Sequence, residues 1–200
     1  MKSGIYCRMI DELESIDRYL LLAINHMNSS FLDSFMWFLS GPWMLLILLP
    51  FSIFFLIKKY SSRQIVWILA AIVLTIVLTD QLSVHAFKEV FERYRPSHNL
   101  FLKDQLHLHQ YIDGTFYRGG KYGFVSSHAA NYFGILTLLL TLLDQMWVKI
   151  LLLTIAIFVI YSRVYLGVHY LSDVLCGAIL GWGLAQVVLH FLLLRKVQVS

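Results

Sequence analysis

Apolar runs at residues 43–57, 65–87, 129–143, 148–163 and about 170–194 set the terms on which this chain can fold. Each approaches or reaches the ~17–25 residues that a helix needs to cross a ~30 Å hydrocarbon layer. If each crosses once, the chain has five spans, and it is an all-α, polytopic membrane bundle. A content of 58% hydrophobic against 14% charged residues, with a mean hydropathy of +0.69, does not fit a soluble all-helical bundle, the alternative reading of such runs. At 200 residues the chain is one domain by length.

Residues 10–27 place Leu13, Ile16, Leu20 and Ile24 at helical spacing behind the acids Asp11, Glu12, Glu14 and Asp17. That pattern predicts an amphipathic helix lying in the membrane interface rather than crossing it. A start this acidic does not match a cleavable signal, which opens on basic residues. Trp37 and Trp43 flank a break at Gly41-Pro42 and read as interfacial anchors. Cys7 and Cys176 are too far apart in sequence for a CxxC site or a disulfide framework.

A polar stretch of about forty residues separates the second and third runs, far longer than the other connections, and carries Arg95, Arg118 and Lys121 with several histidines. A loop of that length in a compact chain is a candidate for function. Lys58, Lys59 and Arg63 come after the first run and Arg195 and Lys196 after the last, which places those ends in the cytoplasm and the long loop outside. The net charge of +4 and pI of about 9.1 do not indicate nucleic acid, because the basic residues form no solvated stripe; anionic lipid is the partner they suit.

The polar residues at the ends of the runs carry the chemistry. Lys88 and Arg95 come after the second run, Ser126, Ser127 and His128 open the third, and Ser162, Arg163, His169 and Asp173 join the fourth to the fifth. With alternating crossings all of these lie on one side of the membrane. Two guanidinium groups, an ammonium and serine hydroxyls suit a tetrahedral oxyanion, and the start of a helix adds backbone donors. His169 and Asp173 are four apart, so the carboxylate can hold one ring nitrogen protonated while the other attacks phosphorus. His128, from another helix, can protonate the leaving oxygen. No metal or cofactor is required. His107 and His109 form an HxH, but no third ligand stands at convincing spacing. Tyr94, Tyr111, Tyr117 and Tyr122 read as interface packing. Arg93, Glu92, His85 and His98 have no assigned role.

These residues resemble the motifs of the type-2 phosphatidic acid phosphatase superfamily, KX6RP, PSGH and SRX5HX3D. Lys88 with Arg95-Pro96 matches the first, and Ser162-Arg163, His169 and Asp173 match the third. In the second, Ser126 and His128 match while Val125 stands for proline and Ser127 for glycine. The resemblance implies a membrane phosphatase in which His169 is the nucleophile forming a phosphohistidine, Asp173 orients it and His128 is the acid. Lys88, Arg95, Ser126, Ser127 and Arg163 would then bind the phosphate. The stretch from Gly120 to Asn131 is similar to the bacterial branch containing lipid A and undecaprenyl diphosphate phosphatases, with lipid A phosphatase favoured. Phosphatidylglycerol phosphate and phosphatidic acid stay open as substrates, and such an enzyme would sit in a bacterial inner membrane with its site facing the periplasm. The reading from a different class is a lipid-binding or transport component that keeps the anion pocket without turnover.

Overall fold

The computed structural model describes residues 2–197, and the side chains of 11–197. Its helices are α1 (Lys2–Asn25), α2 (Ser30–Ser40), α3 (Trp43–Leu56), α4 (Ser62–Phe91), α5 (Ser127–Leu142), α6 (Met146–Tyr165) and α7 (Leu171–Lys196). Two isolated bridges, Tyr94 with Tyr122 and Gln110 with Phe116, are the strand-like pairings among the described residues. The side chain of Cys7 lies outside the described residues, and Cys176 is unpaired.

Helices α4, α6 and α7 are each long and apolar enough to cross a membrane. α2 and α3 together also qualify but meet at a 58° bend, where Gly41-Pro42 interrupts the hydrogen-bonded ladder. The outward faces of the bundle carry exposed Leu46, Ile47, Val66, Val73, Ile150, Ile157, Ile179 and Trp182. Apolar surface this continuous is inconsistent with water and is what a bilayer requires. The five apolar runs thus become α3 to α7 in order.

Of these helices α5 is the most central. It packs on α4, α6 and α7, and Ile135, Leu138, Leu139 and Leu142 are buried in the main core. Its 16 residues make about 24 Å of helix, less than the ~30 Å hydrocarbon layer. Its N-terminus meets the end of α4 through Lys88 and Ser127 and the start of α7 through Ser126 and Asp173, and these ends border a recess at one face of the bundle. Close contact between α5 and α7 depends on glycines of α7. A Cβ at Gly181 would stand 2.0 Å from the carbonyl oxygen of Ala130, and one at Gly177 2.4 Å from that of Ser126. Small residues four apart are what let two membrane helices approach backbone to backbone.

α1 packs on α6 and α7 at the recessed face, and it is not among the helices apolar enough to cross. Its inward positions are Asp17, Leu21 and Asn25, while Leu13 and Ile16 face outward and Leu20 and Ile24 are half-buried. The expected apolar stripe thus only partly meets the protein, and the contact is made in large part by polar groups. Asn25 donates from Nδ2 to the carbonyls of His107 and Tyr165, at 2.8 and 2.7 Å, tying α1 to the long loop and to α6. Trp43 is exposed as expected of an anchor. Trp37 is not a free anchor: it stacks on His109 at 3.8 Å and meets Tyr117 edge-on, because the loop folds back over α2.

Candidate active site

Residue by residue, the recess gathers what the sequence places at the ends of the runs. α4 widens over Leu82–Lys88 into π-helical turns, in which the Glu89 N–H bonds five residues back to Val84. Such a bulge rotates the side chains beyond it to a new register, and here Lys88 Nζ reaches Ser127 Oγ at 2.5 Å. Ser83 Oγ lies 2.7 Å from the same hydroxyl, so Ser127 is clasped between two groups of α4. Ser126 is fully buried and caps α5, accepting from the Ala129 N–H at 3.4 Å, while its own N–H donates to the Asp173 carbonyl at 3.0 Å. The glycine-dependent approach of α5 and α7 thereby locks the Ser126–His128 corner to the start of α7.

Arg95 and Arg163 converge on this corner from the loop and from the end of α6. Both are buried, at 8% and 2% exposure. Arg95 donates from Nε to the Tyr122 carbonyl at 3.1 Å, and Gly119, at φ +67, lies so close that a Cβ there would sit 2.5 Å from Nη1. Arg163 is held by neutral oxygens, Nη1 donating to Ser40 Oγ and Nη2 to the Tyr117 hydroxyl at 2.9 Å. Arg95 Nη1 and Arg163 Nε are buried and meet no protein acceptor. None of Lys88, Arg95 and Arg163 is ion-paired among the described residues. Burial, and after it the neighbouring Arg163, lowers the Arg95 pKa to about 10, which still leaves it charged near neutrality. The result is a buried cluster of cations with donors that meet no protein acceptor, a setting that favours an anion.

His169 lies in the turn between α6 and α7. Gly167 takes φ +69 there, and the N–H groups of Val168 and His169 return to the Arg163 carbonyl, so the turn couples the guanidinium to the imidazole. The ring is 1% exposed, and its Nδ1 stands 3.5 Å from Oδ2 of the fully buried Asp173. Burial, then Arg95, Arg163 and Lys88, push the His169 pKa well below its ordinary 6.5 and keep the ring neutral. Nδ1 is the ring nitrogen turned to Asp173, at a distance too long for a formed hydrogen bond. His128, on the first turn of α5, lines a cavity of about 360 Å³ with Trp37, Ser40, Trp43 and Tyr117, beside the α2–α3 bend.

All eight expected residues therefore share one recess, but the readings of Ser127 and Tyr117 change. Ser127 spends its hydroxyl on Lys88 and Ser83. Tyr117 is a partner of Arg163 rather than interface packing alone. The HxH splits, His107 bonding Asp33 at 3.0 Å while His109 stacks on Trp37, and among the described residues no group of three or more metal-ligating side chains forms. Sequence reasoning missed Ser40, Asp17, Ser172 and Arg93. For Arg93 a signal existed, since it stands two residues before Arg95 in a segment too short for helix and so can face the same region; for Ser40 and Asp17 there was none, their partners being 123 and 76 residues away.

Residues 64–196 match the sequence profile of the PAP2 superfamily. The chain belongs to that superfamily. Among relatives of this PAP2 protein are lipid A 4'-phosphatases of Porphyromonas gingivalis, 33% identical over 167 residues, and of Bacteroides thetaiotaomicron, 34% identical over 174. The alignments cover 83% and 86% of this chain, and 68% and 75% of the relatives. The crystal structure of Aquifex aeolicus LpxE superposes with a TM-score of 0.59 at 25% identity, covering 86% of this chain and 94% of that one. The protein is thus an integral membrane phosphatase of PAP2 type that acts on phosphorylated lipid.

Proposed function

We propose that this PAP2 protein removes a phosphate from lipid A through a phosphohistidine, with the whole chain acting as one domain. The phosphoryl group sits among Lys88, Arg95, Ser126 and Arg163, with Ser127 holding the Lys88 ammonium. His169 Nε2 attacks phosphorus while Asp173 holds the proton on Nδ1, and His128 protonates the departing oxygen. A water activated by His128 then cleaves the phosphorus–nitrogen bond, releasing phosphate and restoring neutral His169. Positive charge around the equatorial oxygens supplies most of the stabilisation, as phosphoryl transfer demands.

The observation that carries this reading is the pair of buried guanidinium donors, Arg95 Nη1 and Arg163 Nε, without protein acceptors beside a neutral, buried imidazole. Leaving such donors unbonded costs about 1–3 kcal/mol each, and a bound phosphate returns that. The lipid A assignment is supported by the names of the Porphyromonas and Bacteroides relatives. The cavity at His128 opens beside an apolar bend, which suits a leaving group whose tails remain in the bilayer. A bacterial inner membrane with the site on the periplasmic side is supported by Lys58, Lys59, Arg63, Arg195 and Lys196, all at the opposite end of the bundle.

The test is phosphate release in detergent, with EDTA present, from lipid A, undecaprenyl diphosphate, phosphatidylglycerol phosphate and phosphatidic acid, alongside His169→Ala. Release from lipid A that vanishes in the variant is the expected result. Preference for another lipid overturns the substrate assignment. No release by folded protein overturns catalysis in favour of lipid binding or transport.

A further inference from the structure

Arg93 differs from the two other arginines near the recess. Its Nη1 donates to Asp173 Oδ1 and to Ser172 Oγ, both at 2.7 Å, and its Nη2 donates to Asp17 Oδ2 at 2.8 Å. Its guanidinium also covers the ring of Tyr170 at 4.2 Å. Arg95 and Arg163 keep donors unused, whereas Arg93 is engaged on both terminal nitrogens by protein oxygens. A group so occupied is poorly placed to take a phosphate.

Asp17 completes the arrangement from α1. It is 7% exposed, its Oδ1 accepts the Ser172 N–H at 3.0 Å, and its Oδ2 accepts the Ser172 hydroxyl as well as Arg93. Its carboxylate therefore sits at the first turn of α7, where the exposed N–H groups favour negative charge. Leu13, Ile16, Phe91, Phe124 and Leu175 form an apolar groove of about 590 Å³ over this pair, and low polarity there strengthens the ionic contacts.

Asp173 has little freedom inside this frame. Arg93 takes Oδ1, the Tyr170 N–H donates to Oδ2 at 3.0 Å, and Oδ2 faces His169 Nδ1. A buried carboxylate without a paired cation is costly and tends to take up a proton, and a protonated Asp173 cannot accept the Nδ1 proton. We propose that Arg93, clamped by Asp17 of the N-terminal helix, is a positioning residue that keeps Asp173 ionised and aimed at His169. α1 is then part of the catalytic apparatus and not only a membrane-surface anchor. This rests on His169 and Asp173 acting as proposed above.

The experiment uses full-length protein in detergent with the lipid that the wild type hydrolyses, comparing Arg93→Met, Arg93→Lys, Asp17→Asn and the double variant Asp17→Asn/Arg93→Met. We expect Arg93→Met to lower kcat roughly 10–100-fold, the range seen when the supports of functional groups are removed, with KM within about twofold. Arg93→Lys recovers part of the loss, Asp17→Asn lowers kcat less than Arg93→Met, and the double variant is no worse than Arg93→Met because the two act as one unit. A rise in KM at unchanged kcat would make Arg93 a substrate ligand, and unchanged kinetics would leave it without a role; either overturns the proposal. So would additive losses in the double variant. If Arg93→Met does not fold, as judged by its unfolding midpoint, Asp17→Asn decides, wild-type kcat there overturning the proposal. His169→Ala is run in parallel. Activity surviving in His169→Ala defeats the phosphohistidine reading itself, whereas an inactive His169→Ala beside a fully active Arg93→Met defeats only the clamp.

Discussion

Gly181 touches no residue of the candidate active site, yet its replacement by alanine should cost most of the activity. The added Cβ would stand 2.0 Å from the Ala130 carbonyl oxygen, where real contacts do not fall below 3.0 Å, so α5 and α7 must part by at least about 1 Å. Ala130 lies within a turn of both Ser126 and His128, and the Ser126 N–H is bonded to the Asp173 carbonyl across the same seam. Parting the helices therefore moves the proposed acid and phosphate-binding serine relative to His169. Misplacement of that size costs about 10²-fold in rate, and overpacking destabilises by about 1–3 kcal/mol. Gly183→Ala is the matched control, because a Cβ there meets nothing within 4 Å. Phosphate release and thermal unfolding would be measured in detergent for both variants. A folded Gly181→Ala with wild-type kcat would refute the claim that backbone contact between α5 and α7 sets the site geometry.

The same geometry predicts three other outcomes. His169 reacts when neutral, so the acidic limb of kcat/KM should lie well below pH 6.5; Arg95→Met removes one repelling cation, raises the His169 pKa and moves that limb to higher pH, as a pH–rate profile would show. His128→Ala should lower kcat on the lipid about 10²–10⁴-fold; with p-nitrophenyl phosphate, whose leaving group needs no proton, a rapid first equivalent of p-nitrophenol should still be released before turnover stalls for want of a base to activate water, and no such burst with folded protein would refute the role of His128 as the acid. Ser40→Ala frees Arg163 Nη1, and loss of one hydrogen bond to a charged group, about 1.5–3 kcal/mol, should raise KM by roughly tenfold or more with kcat little changed. A KM equal to that of wild type would show that Ser40 does not hold Arg163 in its binding position.

Much of this architecture is legible in one sequence because the physics behind it is local. An apolar run long enough to span a bilayer must be a helix, so α4, α6 and α7 come from composition and length, while α3 and α5 are shorter apolar helices whose ends the runs mark only approximately. Alternation of crossings then brings Lys88, Arg95, Ser126, His128, Arg163, His169 and Asp173 to one face with no knowledge of packing. What could not be read is where a residue's partner comes from another part of the chain. Asp17 looked like one of several acids on an amphipathic helix, and nothing local marks it as the one that turns inward to Ser172 and Arg93. Likewise Ser40 precedes a helix break, and only the 58° bend delivers it to Arg163. The π-helical turns that aim Lys88 have no counterpart in the spacing of KX6RP.

The distribution of partners among the arginines gives the recess its chemical sense. Asp17 and Asp173 both bind Arg93. Arg163 is held by the hydroxyls of Ser40 and Tyr117, and Arg95 by the Tyr122 carbonyl, all neutral acceptors. A neutral acceptor fixes the direction of a guanidinium without cancelling its charge, whereas a carboxylate would have to be displaced before an anion could bind. Concentrating the nearby acids on Arg93 thus leaves Arg95 and Arg163 oriented and unneutralised, as the proposed phosphate binding requires. The arrangement is costly in an apolar setting, and it is tolerable here because the cations stand at the ends of the spanning helices, Lys88 near the end of α4, Arg163 in the last turn of α6 and Arg95 in the loop, rather than at mid-helix.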